Sequence, residues 1–150
     1  MTSEFIIRNL ESNDLNEYVK LLGQLTLVQE HVQADLEERL QLISKNPFHR
    51  IFVLTDQFGK LLGCATLLIE PKFIRGMVYL AHIEDVCVNR EFRGHGLGQI
   101  LIEHLSDVAR QSGCYKVSLN CSEKNVKFYQ NCGFTKHECQ MVQTLVRSKL

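Results

Sequence analysis

The sequence predicts a single α/β (α+β) domain: a mixed, mostly antiparallel, twisted central sheet with helices on both faces. Three observations predict it. Apolar runs at 50–54 and 61–69 flank the turn sequence Asp56-Gln57-Phe58-Gly59 and read as a β-hairpin. Apolar residues at helical spacing both precede and follow that hairpin. A glycine-rich segment, Arg93-Gly94-His95-Gly96-Leu97-Gly98, separates the strand-like stretch 81–89 from an amphipathic helical stretch and marks a sharp strand-to-helix corner.

The elements follow in order. Phe5-Ile6-Ile7-Arg8 opens as a short strand. Asp14 with Glu17 three residues later predicts a capping box for a helix carried by Leu15, Val19, Leu22 and Leu25. A second helix is carried by Leu36, Leu40 and Ile43 and ends before Pro47. After the hairpin a central strand spans about Met77 to Asn89. The helix after the glycines, with apolar Ile100, Leu101, Leu105, Val108 and Ala109, reaches about Ser112, and a strand runs from Cys114 to Cys121. A short helix around Asn125 places Asn125 and Tyr129 on one face and ends at Gly133 in a left-handed conformation, before a last strand from Phe134 towards Val146. The order is βααβββαβαβ, with no repeat, low-complexity tract or linker.

Composition narrows the function. A chain of 150 residues with 45% hydrophobic and 23% charged residues fits one globular domain. Lysine plus arginine equals aspartate plus glutamate at 17 each, which argues against a general nucleic-acid or membrane-surface binder. No apolar run approaches the length of a membrane span, and Met1-Thr2-Ser3-Glu4-Phe5 lacks the basic start of a secretory signal. Six cysteines at 64, 87, 114, 121, 132 and 139 contain no Cys-x-x-Cys, so reduced thiols and no metal site are expected. The terminal Ser148-Lys149-Leu150 matches the peroxisomal address, also used by glycosomes.

The glycine corner reads as an anion cradle. Glycines let backbone amides approach a guest, and a helix start adds unpaired N–H groups and the positive end of its dipole. A P-loop would require Lys-Ser/Thr after the glycines, which is absent. A dinucleotide fingerprint also fails, because Gln99 or Leu101 stands where its last glycine is required. The remaining pattern, Arg93-x-x-Gly96-x-Gly98, resembles the pyrophosphate loop of GNAT N-acetyltransferases, and Asn125 to Tyr129 followed by Gly133-Phe134 is similar to the family's second signature.

Further segments resemble the glucosamine-6-phosphate N-acetyltransferases of that superfamily. These are Leu25-Thr26, Ile69-Glu70-Pro71-Lys72-Phe73-Ile74, His82-Ile83-Glu84-Asp85-Val86, Cys114-Tyr115-Lys116, and Lys124 to Tyr129 with Cys132-Gly133-Phe134. The resemblance implies the GNAT fold, a homodimer, acetyl-CoA as co-substrate, and acetylation of the 2-amino group of glucosamine 6-phosphate in a ternary complex, a step towards UDP-N-acetylglucosamine. It implies that Arg93, Gly94, His95, Gly96, Leu97 and Gly98 hold the pyrophosphate, while Val86, Val88, Asn125 and Tyr129 meet the pantetheine arm and thioester. It assigns Thr26, Lys72, Phe73, Ile74, Arg75, Glu84, Asp85, Tyr115 and Lys116 to the sugar phosphate. Glu84 is the expected base and Tyr129 the expected proton donor to the thiolate, with no acyl-cysteine at Cys87. Strand alternation should send Glu84 and Asp85 to opposite faces. Two departures stand out: Arg75 replaces a common His, and Asn120, which cannot act as a base, replaces a common acid. Arg147 is the candidate for a late basic residue reaching the substrate phosphate. The rival readings are a protein or peptide N-acetyltransferase and a non-catalytic acyl-CoA-binding module.

Overall fold

The computed structural model describes residues 5–146; Arg147 and the Ser148-Lys149-Leu150 tail lie outside the described residues. One compact unit runs to Leu119 and a second begins at Asn120. The first contains β1 (Ile6–Asn9), α1 (Leu15–Leu22), α2 (Gln33–Ser44), β2 (His49–Thr55), β3 (Leu61–Pro71), a distorted turn α3 (Ile74–Met77), β4 (Tyr79–Val88), α4 (Leu97–Gln111) and β5 (Cys114–Leu119). The second contains α5 (Val126–Asn131).

The sheet runs β1-β2-β3-β4-β5. Its first three junctions are antiparallel and the last, β4 with β5, is parallel. A parallel neighbour requires a crossover, and α4 supplies it. The α/β architecture with a mostly antiparallel sheet therefore stands as expected.

Period-2 geometry divides the apolar residues of β2 between two cores, and a register shift at Leu54–Thr55 lets Leu61 and Cys64 of β3 share one of them. Ile51, Val53, Leu61 and Cys64 pack with Leu15, Tyr18 and Leu21 of α1, and Leu36, Leu40 and Ile43 of α2 cover the rim. Leu54 and Leu62 pack with Leu97 and Leu101 of α4, and Phe52 meets His104 edge-on at 5.2 Å. Helices thus cover both faces. The buried stripe of α4 is Leu97, Leu101, Ile102, Leu105 and Ala109; Ile100, assigned to it from the sequence, is exposed. In α1 the deepest residues are Leu15, Tyr18 and Leu21, with Val19 and Leu22 half-buried.

Two expectations change. Asp14 and Glu17 do not form a capping box. Arg8 of β1 takes both Asp14 oxygens, at 2.6 and 2.9 Å, and Oδ2 also accepts the Glu11 N–H at 2.9 Å. Asp14 thus caps back onto Glu11 across the preceding 3-10 turn while pairing with Arg8, and does not cap α1. Glu17 instead accepts the Leu61 N–H at 3.1 Å, tying α1 to the start of β3. The second change is at the far end: among the described residues, no strand forms between Phe134 and Val146. A strand exists only through its ladder, and Met141, Val142, Leu145 and Val146 are all exposed.

The Arg8 guanidinium holds the Asp14 carboxyl below its ordinary value of 3.8, against an opposing effect of burial. A depressed carboxyl stabilises the fold above its unfolded value and loses that contribution as pH falls through the folded value. Replacing Asp14 by Asn should lower unfolding stability at pH 7 by about 1.5–3 kcal/mol, the range for charged hydrogen bonds. The gap from wild type should close as pH drops below 3.8 in denaturant titrations. An unchanged gap at acid pH contradicts this account.

Candidate active site

The site is built around an irregularity in β4. Thr66 pairs with Glu84, yet Cys64 pairs with Cys87, so β4 carries one residue more than β3 between these points. Asp85, with φ 50, takes up the surplus as a β-bulge. Regular alternation therefore does not run through Glu84 and Asp85. Glu84 stands opposite Thr66, which bonds Tyr18 of α1. Burial first, then a neighbouring thiol and the Asp85 charge, raise the Tyr18 hydroxyl and the Cys64 thiol. Both Glu84 and Asp85 are exposed.

Beyond the bulge β4 loses a neighbour. Its pairing with β5 ends at Ile83 with Leu119, so the edge from Glu84 to Val88 has no strand beside it in this unit. The Asn89 N–H donates to the Leu62 carbonyl at 2.8 Å, making that pair the hydrogen-bonded one. Val88 backbone groups consequently point away from β3. The Val88 carbonyl accepts Arg93 Nε at 2.9 Å, which folds the Arg93 side chain back along the same edge.

The glycine corner follows directly. Gly94 and Gly96 have φ of 81 and 76, and Gly96 is the left-handed N-cap of α4. An added Cβ at either would meet no heavy atom within 4 Å, so what excludes other residues here is backbone conformation rather than crowding. No side chain caps α4 and no acid lies in its first turn, so the N–H groups of Leu97, Gly98 and Gln99 begin the helix without intrahelical acceptors. His95 Nδ1 lies 3.2 Å from the Phe92 carbonyl. A corner of outward amides at the positive end of a 15-residue helix fits a diphosphate.

A third group lines the sheet at the β3–β4 connection. The Lys72 N–H donates to the Val78 carbonyl at 2.8 Å and closes a tight excursion in which Arg75, Gly76 and Met77 have φ of 51, 78 and 65. On it Arg75 lies 5.0 Å from the ring centre of Tyr115, a cation–π contact. Lys116 follows Tyr115 and pairs with Leu80. The Lys72 ammonium bonds Glu70 Oε1, while Glu70 Oε2 lies 3.2 Å from His82 Nε2. Lys72 first, then His82, hold the Glu70 carboxyl below its usual value. The structure thus brings Arg75 to Tyr115 and Lys72 to Glu70, with Lys116 opposite Leu80, whereas the Phe73 and Ile74 side chains are exposed on the excursion. Thr26 sits in the turn after α1, its N–H on the Leu22 carbonyl. Gln24 of the same turn accepts the Arg90 N–H at 2.9 Å and so links this turn to the approach of the glycine corner.

In the second unit Asn125 ends a single 3-10 turn and serves as N-cap of α5, so helical periodicity begins only at Val126. The end of α5 is a Schellman motif. The Phe134 N–H reaches the Tyr129 carbonyl and the Gly133 N–H the Gln130 carbonyl, both at 3.0 Å, with Gly133 at φ 89. The Phe134 ring packs on Tyr129 at 6.1 Å. Burial, with smaller contributions from Cys121 and Cys132, pushes the Tyr129 hydroxyl up to about 12, so it holds its proton at neutral pH. Cys87 is buried, its thiol donates to the Leu21 carbonyl at 3.4 Å, and burial raises it away from thiolate.

Sequence reasoning gave no role to Glu70, His82, Ser118 or Gln24. The first two lay inside segments quoted for the resemblance, but only the strand register shows that they meet.

The chain belongs to the acetyltransferase (GNAT) family, whose model matches residues 16–134. It is an acetyltransferase by that membership, and GNAT acetyltransferases use acetyl-CoA. It is 41% identical to glucosamine 6-phosphate N-acetyltransferase of Trypanosoma brucei brucei, over 90% of this chain and 92% of the relative. The crystal structure of glucosamine-6-phosphate N-acetyltransferase from Arabidopsis thaliana matches with TM-score 0.90 at 37% identity, covering 95% of this chain and 99% of that one. An aminoglycoside N-acetyltransferase in complex with CoA matches with TM-score 0.76 at 21% identity, covering 98% of this chain and 97% of that one, a likeness of fold.

Gly96→Ala places an L residue at φ 76 without a clash. It should cost about 1–2 kcal/mol of stability, the usual charge for a left-handed non-glycine residue. Thermal denaturation unchanged from wild type would show that the corner relaxes instead.

Proposed function

We propose that the chain, acting as one acetyltransferase domain, transfers the acetyl group of acetyl-CoA to the amine of glucosamine 6-phosphate. The observation that carries this reading is the end of the sheet where Arg75 lies on the Tyr115 ring, Lys72 on Glu70 and Lys116 opposite Leu80, on the sheet that also carries the bulged acids Glu84 and Asp85. A small phosphorylated amine needs cations at one end and a proton acceptor at the other. Similarity along nearly the whole chain to enzymes named for this substrate supports it.

Acetyl-CoA supplies an activated acetyl thioester. Arg93, His95 and the amides from Gly94 to Gly98 hold its diphosphate. Backbone groups of Val86 and Val88 along the open β4 edge, with Asn125, align the pantetheine arm. Lys72, Arg75 and Lys116 bind the sugar phosphate, Tyr115 and Thr26 line the sugar, and Asp85 helps to orient the amine. Glu84, directly or through a water, accepts the proton that the amine sheds as it bonds to the acetyl carbon. The Val86 N–H meets the carbonyl oxygen as charge builds there. The Tyr129 hydroxyl gives its proton to the departing sulfur. Asn120 takes no proton, so the base role rests on Glu84 alone.

Thiol release from acetyl-CoA, followed with glucosamine 6-phosphate, glucosamine and lysine peptides, tests this reading. Glucosamine 6-phosphate should be turned over with much lower KM than glucosamine, and lysine peptides should not be turned over. Tyr129→Phe should reduce kcat by about 10²–10⁴-fold, the span of general acid catalysis, with little change in acetyl-CoA affinity. Turnover of peptides alone would favour a peptide acetyltransferase, and CoA binding without turnover a non-catalytic module.

The reading extends to a homodimer. Met141, Val142, Leu145 and Val146 form an exposed apolar run of the kind that an interface covers. Light scattering should give twice the chain mass of 17.3 kDa, and a monomer at assay concentrations would refute it.

A further inference from the structure

Beside the proposed phosphate site a chain of polar side chains crosses three strands: Lys72, Glu70, His82 and Ser118. Glu70 of β3 pairs with Leu80, and His82 stands two residues further along β4, a diagonal neighbour on the same face. His82 in turn pairs with Ser118 of β5, whose Oγ lies 2.9 Å from Nδ1. Only one arrangement of protons satisfies the neutral ring. An ionised carboxylate accepts and does not donate, so Nε2 carries the hydrogen directed at Glu70. Nδ1 is then the acceptor and the Ser118 hydroxyl donates to it.

We propose that His82 is a positioning residue for Lys72, acting through Glu70 to hold the ammonium where the phosphate of the sugar docks. The proposal rests on the substrate reading above. An exposed lysine has four soft torsions and an isolated surface ion pair restrains it little. Here the main chain of Lys72 is tied to Val78, its ammonium to one oxygen of Glu70, the other oxygen to His82, and that ring to Ser118. An ammonium has three donors, and one spent on Glu70 leaves two for phosphate oxygens. Glu70 and Ser118 serve the same end, one as the bridge and the other as the anchor of the ring.

The experiment compares steady-state kinetics of wild type, His82→Ala, His82→Gln and Ser118→Ala with glucosamine 6-phosphate and with glucosamine. His82→Ala should raise KM for glucosamine 6-phosphate about ten-fold, the equivalent of about 1.4 kcal/mol, with kcat and the KM for acetyl-CoA within about two-fold. The preference for the phosphorylated sugar should fall in parallel. His82→Gln, whose amide N–H can still reach Glu70, should regain most of the affinity, and Ser118→Ala should raise KM by a smaller factor. An unchanged KM in His82→Ala, an equal loss with both sugars, or a Gln variant as weak as the Ala variant each overturns the positioning role. Wild type that acetylates no amino sugar overturns the substrate reading itself, and that arm is read before any variant.

Discussion

One surplus residue in β4 sets the geometry of this protein. Without the left-handed Asp85, β4 would continue in register with β3 as it does from Tyr79 to Glu84. With it, the strand is re-aimed at the level where β5 stops accompanying it. The same few residues therefore expose two acids, open an edge of backbone groups and lead into the glycine corner. Left-handed geometry at a non-glycine residue is tolerated because the surroundings over-determine it. Here the flanking ladder does so, with Glu84 and Cys87 both paired to β3.

Charge follows the same division. The glycine corner relies on backbone dipoles and one arginine folded along β4. The β3–β4 excursion carries Lys72 and Arg75, with Lys72 partly balanced by Glu70. A net charge of zero over the chain is compatible with both, because each concentration of positive charge is local. The buried cysteines stand apart from this chemistry. Cys64 and Cys87 sit opposite each other in the sheet as small apolar residues, and their thiols are raised chiefly by burial.

Much of this was legible in the chain. Apolar patterning located the five strands and the three longer helices of the first unit, since each element buries one face and the period follows from its geometry, but it gave no sign of the short turn Ile74–Met77. Hydrogen-bond competition was not legible. Asp14 followed by Glu17 reads as a cap until Arg8 is seen to claim the aspartate and Leu61 the glutamate. The break in alternation at Glu84 and Asp85 was not visible either, because a bulge has no compositional mark at a non-glycine position. The Phe134–Val146 segment has strand-like composition, but composition names no partner. Of the candidate site, the residue types were visible and their meetings were not: Arg75 on Tyr115, or His82 on Glu70, depends on register between strands far apart in sequence.

The Lys72–Val78 closure carries a consequence for how this surface can change. Five residues lie between the donor and the acceptor of that bond, and three of them already occupy left-handed backbone. No slack remains to absorb an insertion or a deletion. One residue more would swing the Arg75 guanidinium off the Tyr115 ring, and one fewer would break the closure. Diversification at this rim is therefore confined to swapping side chains on a loop of invariant length.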